Sequence, residues 1–135
     1  MIKLKNLIET IWRARYKRPD GTPMDDFWDM HDDIKSSVLG NYAFMTAGSL
    51  TKQLNILQNG IEELRKEDIT KYTDSKDRRA ISKSLTSAVT VLKRAKQKIN
   101  ERKLSDALAW IDNALNHFHT AIDLLADLYV RNYRE

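Results

Sequence analysis

Apolar residues recur at alternating spacings of four and three along three stretches of this chain, and that recurrence leaves it few ways to fold. One stretch runs Ala43, Ala47, Leu50, Leu54, Leu57, Ile61, Leu64, and a second Ile81, Leu85, Ala88, Leu92, Ala95, Ile99. The third is Leu104, Leu108, Ile111, Leu115, Phe118, Ile122, Leu125, Tyr129. A repeat averaging 3.5 residues draws one apolar seam along an α-helix, and helices with such seams bury them against one another. A chain of 135 residues suffices for one modest core and not for two. The expectation is an all-α fold, a single compact antiparallel helical bundle of four to five helices with heptad-like seams, forming one domain over 1–135.

Punctuation residues place the helices. A first is expected over about 2–17, where Leu4, Leu7, Ile8, Ile11, Trp12 and Ala14 share a face. It stops at Arg18-Pro19-Asp20-Gly21, because proline restricts the residue before it and Asp-Gly favours a turn. Thr22 as N-cap, Pro23 at the first helical position and Asp25 reaching back to the cap then start a second helix. Its face, Phe27, His31, Ile34 and Val38, does not run in phase into the seam that follows. A break at Gly40-Asn41 accounts for this, since glycine accepts the left-handed conformation that ends helices; an unbroken, kinked helix is the alternative.

The third helix is expected to reach about Glu67, followed by a polar stretch with Thr73, Asp74 and Ser75 as candidate caps. A fourth spans about 76–102 and a fifth about 105–132, with Ser105 as N-cap. So short a separation predicts that the last two pack as a hairpin. The fifth is expected to be central. Beside its seam, Ala107, Ala114, Ala121 and Leu128 line one flank, extended by Trp110, His117 and Leu124. An apolar arc this wide suits a helix with two or more neighbours, and the alanines suit close approach.

Composition excludes several functions. No apolar run approaches the roughly 20 residues of a membrane span, and the start of the chain lacks a signal-peptide core, so no membrane association is expected. The absence of cysteine removes disulfides, thiolate metal sites and a cysteine nucleophile, and a cytoplasmic setting fits it. No phosphate-cradling glycine loop, serine elbow, Glu-x-x-His or His-Glu-x-x-His is present. No catalytic residue, cofactor or metal is expected.

Two features invite a metal reading and neither supports it well. Asp25, Asp29 and Asp32 or Asp33 fall on one helical face near His31, and carboxylates with an imidazole can hold a divalent ion. Acids in a first helical turn are, however, what the helix dipole favours, and no matching motif appears on another helix. His117 and His119 resemble a His-x-His pair, but two helical residues are separated by about 200° of rotation, so the rings diverge. His119 is instead one turn from Asp123, at ion-pair spacing.

Charge carries more information. The net charge of +4 is unevenly spread: six aspartates and no lysine or arginine occupy residues 19–33, whereas 71–103 hold eleven basic groups against three acids. On the helix expected over 76–102, Lys83, Lys93 and Arg94 share the outer face with Thr86, Ser87, Thr90, Gln97 and Asn100, flanked by Lys96, Lys98, Arg102 and Lys103. Cations interleaved with hydroxyls and amides suit phosphate oxygens, which accept hydrogen bonds from all of them. Near the N-terminus, Arg13, Arg15, Lys17 and Arg18 alternate with Trp12 and Tyr16, a composition suited to unpaired bases. The competing explanation is that the lysines only solubilise the bundle and that Arg13–Arg18 pair with Asp25–Asp33. Trp12, Tyr16 and Trp28 form a separate candidate, a partner-binding patch, because Trp28 and Met30 fall off the Phe27–Val38 face. Packing of the first helix over that patch is the alternative.

Ile56-Leu57-Gln58-Asn59-Gly60-Ile61 resembles the Ile-x-Gln-Asn-Gly-Leu stretch in the small helical subunit of type III CRISPR effector complexes. The likeness covers six residues. Lys52-Gln53 stands where that family has Leu-Pro, and Glu63-Leu64-Arg65 where it has Leu-Ala-Phe. The resemblance implies a repeated, non-catalytic subunit lining a guide–target duplex through basic surfaces, and it assigns no individual binding residue. Together these features predict a non-catalytic helical subunit of a nucleoprotein assembly. It would bind the backbone of RNA or single-stranded DNA, with other protein subunits or copies of itself as neighbours. A protein–protein interaction module such as a viral structural protein, adaptor or inhibitor is the alternative.

Overall fold

The computed structural model describes residues 25–40, 45–67 and 75–133, and among them the chain forms four α-helices and no strands. They are α1 (Asp25–Leu39), α2 (Ala47–Arg65), α3 (Ser75–Asn100) and α4 (Leu104–Tyr133). The helix expected over 2–17 lies outside the described residues, as do the Thr22-Pro23 start, Ala43, and the caps Thr73 and Asp74.

The seams form the core. Leu50, Leu54, Leu57, Ile61 and Leu64 of α2 are buried, as are Ile81, Leu85, Ala88, Leu92, Ala95 and Ile99 of α3. Each large aliphatic side chain so enclosed contributes roughly 1.5–3 kcal/mol relative to exposure. α4 buries Ile111, Leu115, Phe118, Ile122 and Leu125 on its seam and Ala107, Ala114, Ala121 and Leu128 on its flank. It touches α1, α2 and α3, so the breadth of its apolar arc corresponds to three neighbours. Its most extensive contact is with α3, to which residues 101–103 join it.

α1 ends where the phase argument placed a break. Gly40 donates its N–H to Ser36 O at 3.0 Å, and a Cβ on it would sit 2.5 Å from that same oxygen, so only glycine fits. The next helix begins later than its apolar pattern suggests. Thr46 is the N-cap of α2: its extended backbone (φ −104°, ψ 168°) lets Oγ1 accept the Ser49 N–H at 3.1 Å. Such a cap supports a helix by about 1 kcal/mol. An apolar seam continues through a cap unaltered, so the pattern could not locate it.

The α3–α4 junction corrects one expectation. Ser105 is not the cap; α4 starts at Leu104, and Lys103 O accepts the Ala107 N–H at 3.0 Å. α3 closes with Lys103 N–H on Lys98 O at 2.9 Å and Arg102 N–H on Ile99 O at 3.0 Å. That pair of bonds is a Schellman closure, which requires a left-handed residue, here Arg102 at φ 61°. Glycine would adopt this conformation without the steric penalty that arginine carries.

Gly60, inside α2, permits a close approach of another kind. A Cβ there would overlap the Met30 sulfur of α1 and lie 3.2 Å from Phe118 Cζ of α4. Glycine in a helix interior costs roughly 0.5–1 kcal/mol, offset here by contact among three helices. Among the described residues, no helix is long and apolar enough to cross a membrane.

Candidate functional site

Cations crowd α3 because its core stripe uses only one side of the helix. With successive residues rotated by about 100°, Ile81 through Ile99 occupy one side and Lys83 and Arg94 the opposite one. Lys83, Lys93, Arg94, Lys96 and Arg102 are exposed. Lys98 is half-buried, and its ammonium lies 3.5 Å from Glu101. The six do not form one strip. Arg94 and Lys98 differ by only about 40° around the axis, whereas Lys96 lies about 160° from Arg94, on the other flank. A ligand spanning all six must wrap the helix. The other expected cations, Arg13, Arg15, Lys17 and Arg18, lie outside the described residues, as do Trp12 and Tyr16.

On the Arg94 flank, α3 and α4 enclose an open groove of about 290 Å³. Trp110 and His117 of α4 form one wall. Thr86, Ser87, Thr90, Val91 and Arg94 of α3 form the other. The Arg94 guanidinium sits over the Trp110 ring, 5.1 Å from its centroid, a cation–π contact that orients its planar fork of donors. Thr90 donates its hydroxyl to Thr86 O at 3.0 Å, which leaves its oxygen lone pairs as acceptors. Arg94 is the one formally charged residue of the lining, and it carries no carboxylate.

Arg94 appears in the sequence as a backbone-binding cation and Trp110 and His117 as a helix flank, with nothing joining them. Their register about the turn could have done so. Arg94 and Trp110 are each eight residues from Arg102, and Ser87 and His117 each fifteen. A tight junction brings such equidistant residues opposite one another.

Trp28, expected to leave apolar surface outside the core, is only 5% exposed and belongs to the core cluster. The expectation that its ring leaves apolar surface outside the core is therefore corrected. α1 packs against both α2 and α4, and Met30 lies partly buried against the same core.

The structure also unites two histidines that the sequence keeps 88 positions apart. His31 of α1 is buried and its ring lies 5.0 Å from that of His119 of α4, tilted by 60°. Each has its own carboxylate: His31 Nδ1 to Asp32 Oδ1 at 3.1 Å, and His119 Nδ1 to Asp123 Oδ2 at 3.1 Å. Burial holds the His31 pKa below the usual value, opposed by the Asp32 hydrogen bond and reinforced by charge on His119. The Asp123 hydrogen bond raises that of His119, against partial desolvation. Among the described residues, no three histidine or carboxylate side chains are grouped so as to hold a metal ion.

A comparison with models of protein families gave no match, and neither curated proteins nor solved structures gave a significant one.

Proposed function

We propose that this chain is a non-catalytic helical subunit of a nucleoprotein assembly that binds nucleic-acid backbone through basic helix faces, α3 foremost. The observation that carries the reading is the exposure of Lys83, Lys93, Arg94 and Lys96 along one helix and of Arg102 just beyond its end. Phosphate contacts of this kind position a protein without reading sequence, and they need only cations, hydroxyls and amides at a suitable pitch. The bundle is antiparallel in this reading, and Arg13, Arg15, Lys17 and Arg18 near the N-terminus supply further cations for the same backbone. The six-residue likeness to the small subunit of type III CRISPR effector complexes points the same way, toward a cytoplasmic assembly of repeated subunits.

Fluorescence anisotropy with labelled single-stranded RNA, single-stranded DNA and duplex DNA tests it. Affinity should fall by orders of magnitude between roughly 50 and 200 mM salt, as counterion release requires of a multi-phosphate contact. Reversing charge at Lys93, Arg94 and Lys98 together should weaken binding at least about tenfold with helicity unchanged. Binding that ignores both salt and charge reversal would sink the proposal and favour the protein–protein interaction module.

A further inference from the structure

Of the features outside the core, the α3–α4 groove combines shape with chemistry. Its roughly 290 Å³ lies at the small end of ligand pockets, a size for one compact unit and not for a long chain of contacts. Its walls offer three kinds of group. Arg94 supplies a cation whose fork is held by Trp110. The two rings of Trp110 and His117, with Val91, supply flat and apolar surface, and the Ser87 and Thr90 hydroxyls supply polar partners. A bare phosphate needs only the first of these, and an apolar ligand only the second. A nucleotide uses all three, with an anion, a planar ring and hydrogen-bonding edges.

We propose that this groove is a subsite for one unpaired nucleotide of a single strand, with phosphate on the Arg94 fork and base against the Trp110–His117 wall. The proposal rests on the nucleic-acid reading of α3 and deepens it by naming the form of nucleic acid preferred. Bases in a duplex are stacked on one another and cannot enter such a groove, whereas unpaired bases stack readily on aromatic rings and guanidinium planes. Duplex is left with the outward cations alone.

The test uses the full chain, labelled with 15N, titrated with a hexanucleotide single strand, a hairpin duplex and inorganic phosphate in about 100 mM salt. The Trp110 indole N–H, assigned from Trp110→Phe, reports on the groove. The expected result is tighter binding of the single strand than of duplex by at least about tenfold, with the Trp110 signal moving only for the single strand. Trp110→Ala, which removes the aromatic wall and no charge, should remove most of that preference in anisotropy titrations while leaving duplex binding, which uses the outward cations, within about threefold. Equal binding of both forms with an unmoved Trp110 signal overturns the subsite and leaves the basic face standing. Movement of that signal by phosphate to the same extent also overturns it, since no base is then needed. Absence of binding to either nucleic acid removes the subsite and the reading on which it rests.

Discussion

The two sides of α4 set a histidine against different neighbours. Toward α1, the half-exposed His119 meets the buried His31, and each ring nitrogen that faces a carboxylate is satisfied locally. Toward α3, Trp110 and His117 remain half-buried beside an open groove whose far wall is hydroxyls and an arginine. Both sides grow from the same kind of helical flank. What differs is the neighbour. α1 brings a buried imidazole into ring contact with His119. α3 carries Ser87, Val91 and Arg94 there, which are too small or too polar to fill the space. A ring partner meets the histidine on one flank, and short polar side chains leave a groove beside the other.

Side-chain truncation on each side should break this comparison most forcefully. Phe118 is fully buried where α1, α2 and α4 meet over Gly60, so Phe118→Ala should cost about 3–5 kcal/mol in urea unfolding. Trp110→Ala empties a half-exposed position and should cost roughly half as much. Equal losses would mean that the groove is as closed as the core.

The histidine pair gives a smaller effect with a distinctive sign. His31 has its folded pKa lowered, so the stability linked to it is present above the unfolded value of 6.5 and is lost as pH falls through the folded pKa. His119 has its folded pKa raised, so its contribution is complete below 6.5 and disappears as pH rises through the folded pKa. Asp32, Asp123 and Lys35 are the charged groups acting on the pair. The two slopes oppose each other in the native chain. Urea midpoints between about pH 5.5 and 8 should separate them. Relative to the native chain, His31→Gln should gain stability on acidification and His119→Gln should lose it. Parallel profiles for the two variants would show that the two pKa values are not shifted in opposite directions.

The smallest expected change sharpens the picture at the junction that sets the groove's register. Arg102→Gly relieves a left-handed arginine and should raise stability by about 0.5–1 kcal/mol in thermal unfolding. A loss instead would mean that the Arg102 side chain makes contacts worth more than its backbone strain.

The fold was legible in the chain because its signals are periodic and local. The seams of α2, α3 and α4, the break at Gly40 and the central place of α4 all follow from which residues recur at helical spacing and where glycine interrupts them. Boundaries were less so. Thr46 caps α2 with its hydroxyl at a point the apolar pattern does not mark, and Lys103 serves α4 through its backbone carbonyl alone, which is why Ser105 looked like the better cap.

The candidate site divides the same way. That α3 carries exposed cations opposite its core stripe follows from 100° per residue, and the His119–Asp123 contact from one helical turn. That Trp28 is buried, that His31 meets His119, and that Arg94 lies over Trp110 depend on which helices become neighbours and in what register. Periodicity assigns each residue to a face of its own helix. The pairing of faces is settled by how large and small side chains interlock across the whole bundle, and no single segment contains that information.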